Sequence, residues 1–294
     1  MPPSPESPDR QSRPSSAQAI VARVDAAAGG TPAEDTIPSG FPSLDRMLGS
    51  GFRRRDLIVL AGDVGSGKSA LALGIAIRSA RLGTPTILFS GEMTEERLIE
   101  RSIALEGRAA IDELRSGRLN DATRASVGAA ALRIRDLPLT FRPLYGQDFS
   151  EITDQLRMVP PRALIIVDSL QMVEPPRSGP TSEETLALAI RALKGLALDR
   201  NVTVLALVQL TGAIARREDP RPTLDDLGGL GAVKQHCDVV LGVYREEMYR
   251  PGQGMEGATE LIVAKNRNGP TGFVDLYFYQ RWLRFEDMLD PEEG

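Results

Sequence analysis

Between residues 56 and 210 the chain alternates two kinds of hydrophobic pattern. Unbroken apolar runs occur at "DLIVLAG" (56–62), "PTILFSGE" (85–92), "LPLTFRP" (137–143), "ALIIVDSL" (163–170) and "VTVLALVQL" (202–210). They have the length of strands, and their lack of polar alternation predicts burial on both faces, as in a parallel sheet covered by helices. Between them, "SALALGIAIRSARLG" (69–83), "TEERLIERSIALEG" (94–107) and "SEETLALAIRALKGLALDRN" (182–201) carry helix-like patterns. Thr181 precedes Glu184 by three positions, which predicts a capping box at the start of the last helix. After Asp238 the helical pattern stops, and "VVLGVYR" (239–245), "TELIVAKNR" (259–267), "FVDLYFY" (273–279) and "WLRFE" (282–286) follow. The predicted class is α/β, with a mainly parallel central sheet flanked by helices and an antiparallel, strand-rich C-terminal edge.

Residues 1–18 are rich in Pro and Ser, have almost nothing to bury and are expected to be disordered. "AIVARVDAAA" (19–28) has the pattern of a short amphipathic helix, and "GGTPAEDT" (29–36) breaks it. The packed domain is expected over 37–287, with 288–294 as a tail. No apolar run in the 294 residues reaches membrane-spanning length, and no signal segment opens the chain. A single cysteine excludes an internal disulfide and implies a reducing, cytoplasmic setting. That residue, Cys237, adjoins the only histidine, His236; a metal site needs two further ligands that no Cys or His can supply, so both are read as structural. The net charge of −5 argues against general coating of polyanions, although a local basic patch can still bind nucleic acid.

"GDVGSGKS" fits G-x-x-x-x-G-K-[ST] at Gly62, Gly67, Lys68 and Ser69, and it follows a predicted strand and opens a predicted helix. In such a loop the backbone N–H groups from Asp63, Val64, Gly65, Ser66 and Gly67 through Ala70 wrap a triphosphate. Lys68 reaches the β- and γ-phosphates, and the Ser69 hydroxyl ligates Mg²⁺. Asp168, ending the apolar part of "ALIIVDSL", is the second metal-side group, holding Mg²⁺ through water. Glu92, at the end of "ILFSGEM", stands where a general base could activate water; alternatively it is a helix N-terminal carboxylate, a role Glu95 and Glu96 fill better. In "AKNRNGPTG" (264–272), Lys265 and Arg267 lie two apart on a strand and so point the same way, just before a turn at Asn268, Gly269 and Pro270. Two rigidly presented cations call for an anion, or else form a surface salt bridge.

The stretches "IPSGFPSLDRMLGSGFRRRDLIVLAGDVGSGKSALALGIAI", "FSGEM", "LIIVDSLQMV", "LVQL", "RPTLDDL", "DVVLGVYREEMY" and "AKNRNGPTGFVDLYF", in this order, resemble the ATPase domain of DnaB-type replicative helicases over residues 37–287. The tyrosine-flanked "YREEMY" and "RNGPTG" are the most particular of these signatures. The resemblance implies a RecA-like fold, hexameric rings around single-stranded DNA, and ATP with Mg²⁺ as cofactors. It also implies that Lys265 and Arg267 reach the γ-phosphate bound by the next subunit, and that Gln209 senses that phosphate; a glutamine there could also merely cap the sheet.

Three departures bear on function. Only some 36 residues precede the ATPase region, so the family's N-terminal helical collar and its primase contact are not expected here, while helix 19–28 could serve as a linker that docks on an adjacent subunit. The DNA-gripping loop reads "LGGLGAVKQHCD" (227–238), with Gly228 and Gly229 where the family carries Arg and Glu, and with Lys234 replacing an acid. Its backbone N–H groups and Lys234 remain able to meet phosphates. Finally, the family's Asn-Arg after the glutamine is missing, and Arg216 and Arg217 are the substitutes at hand, unless they simply face solvent. "FSGEM" and "AKNR" also resemble RadA-type recombination ATPases. A DNA motor is therefore expected, with a RadA-like factor or a ring ATPase that remodels a protein partner as the alternative.

Overall fold

Each of the five unbroken runs forms a strand, and all five lie in one sheet. The structure, a computed structural model, describes residues 16–28, 35–144, 149–172, 181–210, 214–229, 231–252 and 255–288. In chain order these form α1 (Ser16–Ala28), β1 (Thr36–Ile37), α2 (Pro42–Met47), β2 (Phe52–Arg53), β3 (Leu57–Gly62), α3 (Lys68–Arg81), β4 (Thr86–Ser90), α4 (Glu95–Gly107), α5 (Ile111–Ser116) and α6 (Asp121–Arg135). There follow β5 (Leu139–Pro143), α7 (Phe149–Arg157), β6 (Leu164–Asp168), α8 (Ser182–Arg200), β7 (Thr203–Gln209), α9 (Ala232–His236), β8 (Val239–Tyr244), β9 (Ala258–Asn266), β10 (Gly272–Tyr279) and β11 (Arg284–Asp287).

The helix expected over 19–28 is α1, which starts at Ser16 and leaves Ile20, Val21 and Val24 exposed. It belongs to a unit of its own, Met1–Asp35. Of residues 1–18, expected to be disordered, 16–18 form the first turn of α1, while residues 1–15, most of the break after α1 and residues 289–294 of the tail lie outside the described residues. Among the described residues, no helix is long and apolar enough to cross a membrane.

The second unit, Thr36–Gly294, carries a nine-stranded sheet in the order β11-β10-β9-β8-β3-β7-β6-β4-β5. The six strands from β8 to β5 are parallel, and β9, β10 and β11 add antiparallel, as the C-terminal runs predict. Every residue of β3 and β6 is buried. Successive side chains point to opposite faces. Ile58 and Leu60 accordingly pack with Leu71 and Ile75 of α3, whereas Leu57 and Val59 join Ile190 and Leu193 of α8.

Two features depart from the sequence pattern. β5 is not a doubly covered strand but the open edge of the sheet, with Arg142 and Pro143 exposed. An edge tolerates a proline because the missing N–H has no ladder to serve there. The pattern also carries no clear signal for α5, α6 and α7. α6 buries just Ala130 and Ile134, too thin a stripe to stand out among its alanines.

The capping box of α8 forms as predicted. The Glu184 N–H donates to Thr181 Oγ1 at 3.3 Å, and the Thr181 N–H donates to the Glu184 carboxylate at 2.8 Å. Thr181→Ala is expected to lower stability by about 1 kcal/mol, read from the midpoint of urea unfolding.

Candidate nucleotide site

Four neighbouring parallel strands, β3, β7, β6 and β4, end side by side. In this register Gly62 lies opposite Gln209, and Asp168 lies opposite Ser90, two residues before Glu92. Open α/β sheets bind ligands outside these carboxyl ends. A cleft of about 310 Å³ opens there; it is lined by Gly65, Gly67, Lys68, Ser69, Ala70 and Val64 of the glycine-rich loop together with Glu92, Asp168 and Gln209. Residues more than a hundred positions apart thus face one cavity.

The loop between β3 and α3 depends on glycine. Gly65 and Gly67 have φ of +78° and +95°, in the left-handed region that side chains disfavour. Gly67 is constrained twice, because a Cβ there would come within 2.9 Å of Phe285. Phe285 in turn stacks on Phe278, with ring centroids 4.5 Å apart, so the β10–β11 hairpin buttresses the loop. Lys68 folds back over the loop, its Nζ donating to the carbonyls of Gly62 and Asp63 at 2.8 Å each.

The electrostatics of the cleft suit a magnesium nucleotide. Burial pushes the Asp168 carboxyl up to about 6, and nearby Glu92 adds to the rise, while Ser69, Lys68 and Arg101 oppose it. Burial also lowers the pKa of Lys68, against the pull of Asp168, Glu92 and Asp63. A divalent cation beside Ser69 and Asp168 would relieve the buried carboxylate, and phosphate oxygens would relieve the buried ammonium. The Ser66 Oγ is buried without a hydrogen-bond partner among the described residues.

Several lining residues escape the sequence patterns. Arg101 reaches the cleft from α4, and Ser169, Arg245, Phe278, Gln280 and Leu283 complete its wall. Nothing in "TEERLIERS" distinguishes Arg101 from Arg97, since only the helix's orientation does so. Arg245 sits inside the "YREEMY" stretch, which does carry a signal. Its guanidinium pairs with Glu247, stands 4.6 Å from the Phe278 ring centroid and donates to the Gly65 carbonyl at 3.4 Å. From the same stretch, the Tyr249 hydroxyl donates to Asp63 at 3.5 Å, and Tyr249 stacks on Tyr244.

Lys265 and Arg267 stand elsewhere. Lys265 lies opposite Val240, which lies opposite Val59, whereas Gly62 lies opposite Val243. That register sets Lys265 about 10 Å back along the sheet from the loop, at roughly 3.3 Å per residue, and Arg267 lies further still. Their side chains are on the carbonyls of α9 and on Asp238.

Two of the cations and one of the glycines expected to meet DNA already have partners. Arg217 is bidentate with Asp226 at 3.0 and 2.9 Å, Lys234 pairs with Asp225, and the Gly229 N–H donates to Glu183. Glu183 also crowds Gly228, where a Cβ would meet its carboxylate at 2.6 Å. Arg216 is exposed. Cys237 is fully buried, and burial pushes its thiol up to about 12.

A mainly parallel sheet with a glycine-rich phosphate loop, a strand-end carboxylate and an antiparallel edge defines the RecA-like class of nucleotide-binding domains. Within that class the chain belongs to the DnaB-like helicase C-terminal domain family, whose profile matches residues 36–287. It is 33% identical over 261 residues to the replicative DNA helicase DnaB of Geobacillus stearothermophilus, covering 86% of this chain and 56% of the relative. The replicative DNA helicase DnaC of Bacillus subtilis is 32% identical over 257 residues, with the same shares. The chain therefore spans just over half the length of these relatives. Among solved structures, the ATPase domain of G40P superposes with a TM-score of 0.82 at 28% identity, covering 94% of this chain and all of that one. A DnaB-like replicative helicase, solved in a study of its interactions with primase, gives 0.84 at 27% identity, covering 95% of this chain and 68% of that one.

Proposed function

We propose that this chain is the motor of a DnaB-type helicase, hydrolysing ATP with Mg²⁺ at the interfaces of a six-membered ring that encloses single-stranded DNA. The observation that carries this reading is the separation of the chemistry into two ends of one sheet. The phosphate loop, Asp168, Glu92 and Gln209 gather at one end, while Lys265 and Arg267 are held away from their own cleft. An adjacent subunit would supply the missing cations in trans, stabilising charge on the transferring phosphoryl group.

In this reading the backbone N–H groups of the loop and Lys68 bind the phosphates. Ser69 and Asp168 hold Mg²⁺, which neutralises charge on the phosphates when bound. Glu92 accepts a proton from the attacking water, and Gln209 contacts the γ-phosphate. Arg101, which lines the same cleft and acts electrostatically on Asp168, adds a positive charge toward the same phosphates. The loop over 227–238, Arg216 and Arg217 contact the strand.

One observation favours a second reading, a ring ATPase that remodels a protein partner without unwinding DNA. Arg217 and Lys234 are ion-paired and the Gly229 N–H is hydrogen-bonded within the chain, so DNA phosphates would have to displace Asp226, Asp225 and Glu183. Measuring ATPase rate and DNA binding together separates the two. The helicase reading expects stimulation by single-stranded DNA and binding that weakens steeply with salt. Absence of binding at low salt, even with a non-hydrolysable nucleotide, would favour the remodelling ATPase.

Asp168 adds a pH signature. With its carboxyl at about 6, the group is charged above that pH and increasingly protonated below it. Metal binding requires the charged form, so the Mg²⁺-dependent gain in nucleotide affinity should shrink as pH falls from about 7.5 to about 5.5. The linkage has the opposite sign for the ligand-free fold: the folded state takes up this proton before the unfolded chain does, so Asp168 disfavours folding less as pH falls through 6. Asp168→Asn should reduce the pH dependence of the magnesium effect to the part that the nucleotide's own terminal phosphate contributes.

A further inference from the structure

In the ligand-free chain Lys265 and Arg267 already bond to their own subunit. The Lys265 Nζ donates to the Lys234 carbonyl at 2.5 Å and to the Cys237 carbonyl at 2.6 Å. Arg267 donates to the Gln235 carbonyl and, at 3.3 Å, to Asp238 Oδ1. Lys234 and Gln235 lie in the last turn of α9, and Cys237 is its C-cap. The final carbonyls of a helix have no partner within it, and cations placed there both satisfy them and complement the helix dipole. α9 is five residues long, too short to persist without such outside contacts. It closes the 227–238 loop.

We infer that Lys265 and Arg267 form a latch on α9, and that their capture of an anion unfastens the C-terminal end of the 227–238 loop. The inference rests on the reading above, in which that anion is the phosphate of an adjacent subunit's nucleotide. It adds that the same two side chains report that nucleotide to the loop of their own subunit.

Three features make the latch releasable. The Arg267 side chain is 47% exposed and Lys265 is half-buried, so neither is locked in the core. Buried Asp238 would not be orphaned by the departure of Arg267, because its other oxygen keeps the Leu57 N–H at 2.9 Å and the Lys194 Nζ at 2.5 Å. The two cations also repel each other: burial first, and Arg267 next, lower the pKa of Lys265. An arriving phosphate brings more than one negative charge to the pair, against the single carboxylate of Asp238 and the uncharged carbonyls that now face it.

Hydrogen–deuterium exchange on the assembled full chain tests the latch. The amides to follow are those of Gln235 and Cys237, which bond to the Gly231 and Val233 carbonyls within α9. Adding Mg²⁺ and a non-hydrolysable ATP analogue should speed their exchange by about tenfold, since a cation at a partly buried helix C-terminus holds it by that order. Lys265→Met and Arg267→Gln should each raise the nucleotide-free rate and blunt the response. Lys68→Ala, deprived of its phosphate contact, should show no response. If the analogue leaves the wild-type rate unchanged or slows it, while Arg267→Gln still loses ATPase activity, the latch is overturned and the trans reading stands. If Arg267→Gln keeps full ATPase activity, the trans reading falls, and the role of the phosphate as trigger falls with it. Unchanged nucleotide-free exchange in both variants would remove the latch itself.

Discussion

Glu92→Gln should leave nucleotide bound and unhydrolysed. Glu92 follows β4 at the carboxyl end of the sheet, exposed to the cleft and beside Asp168. The substitution keeps size and hydrogen bonding but removes basicity, and loss of a positioned general base costs about 10²- to 10⁴-fold in turnover. Binding of a fluorescent nucleotide should change little, because the loop and Lys68 are untouched. Glu95→Gln is the control. Glu95 lies in the first turn of α4, where a carboxylate merely complements the helix dipole, and its loss should not be felt in turnover. Equal turnover in the Glu92 variant and the parent would return Glu92 to that same helix-terminal role.

Arg267→Ala should also bind nucleotide and fail to hydrolyse it, but for a reason located in the next subunit. A cation supplied to a transferring phosphoryl group is worth about 10³- to 10⁵-fold in rate. The register of β8 and β9 keeps this arginine from its own loop, so the activity of the parent should depend on assembly and rise with protein concentration. Mixing is the sharper measurement. Lys68→Ala removes the phosphate contact of a subunit but leaves its Arg267 intact. An interface between an Arg267→Ala subunit that binds nucleotide and a Lys68→Ala neighbour that lends the arginine contains one complete site. Co-assembled mixtures should therefore regain single-site turnover that neither variant has alone. Full activity of Arg267→Ala at concentrations where no ring forms would make the Arg267–Asp238 contact a purely structural, half-buried ion pair.

The variants also separate what could be read locally from what could not. The phosphate loop is local: its glycines, lysine and serine act within eight consecutive residues, between a strand and a helix that the hydrophobic pattern marks on either side. Asp168 and Glu92 could be placed at strand ends for the same reason. Arg101 and Arg245 could not be placed, because each enters the cleft through the orientation of an element packed by residues distant in the chain. The partners of the loop cations were equally hidden. Arg217 meets Asp226, and Gly229 meets Glu183 across 46 positions, through packing that no periodicity reports.

By itself, the sequence determined the order of strands β3 to β7 and of helices α3, α4 and α8 among them, the antiparallel C-terminal edge, the phosphate loop and the capping box of α8. Each of these follows from burial periodicity or from contacts a few residues apart, which local spacing records. The tertiary structure alone decided that β5 is an open edge, that Gly67 is held against Phe285, and that Lys265 and Arg267 rest on the end of α9. Those facts depend on strand order and register. A hydrophobic pattern says which residues must be buried, and it leaves open which neighbours will bury them.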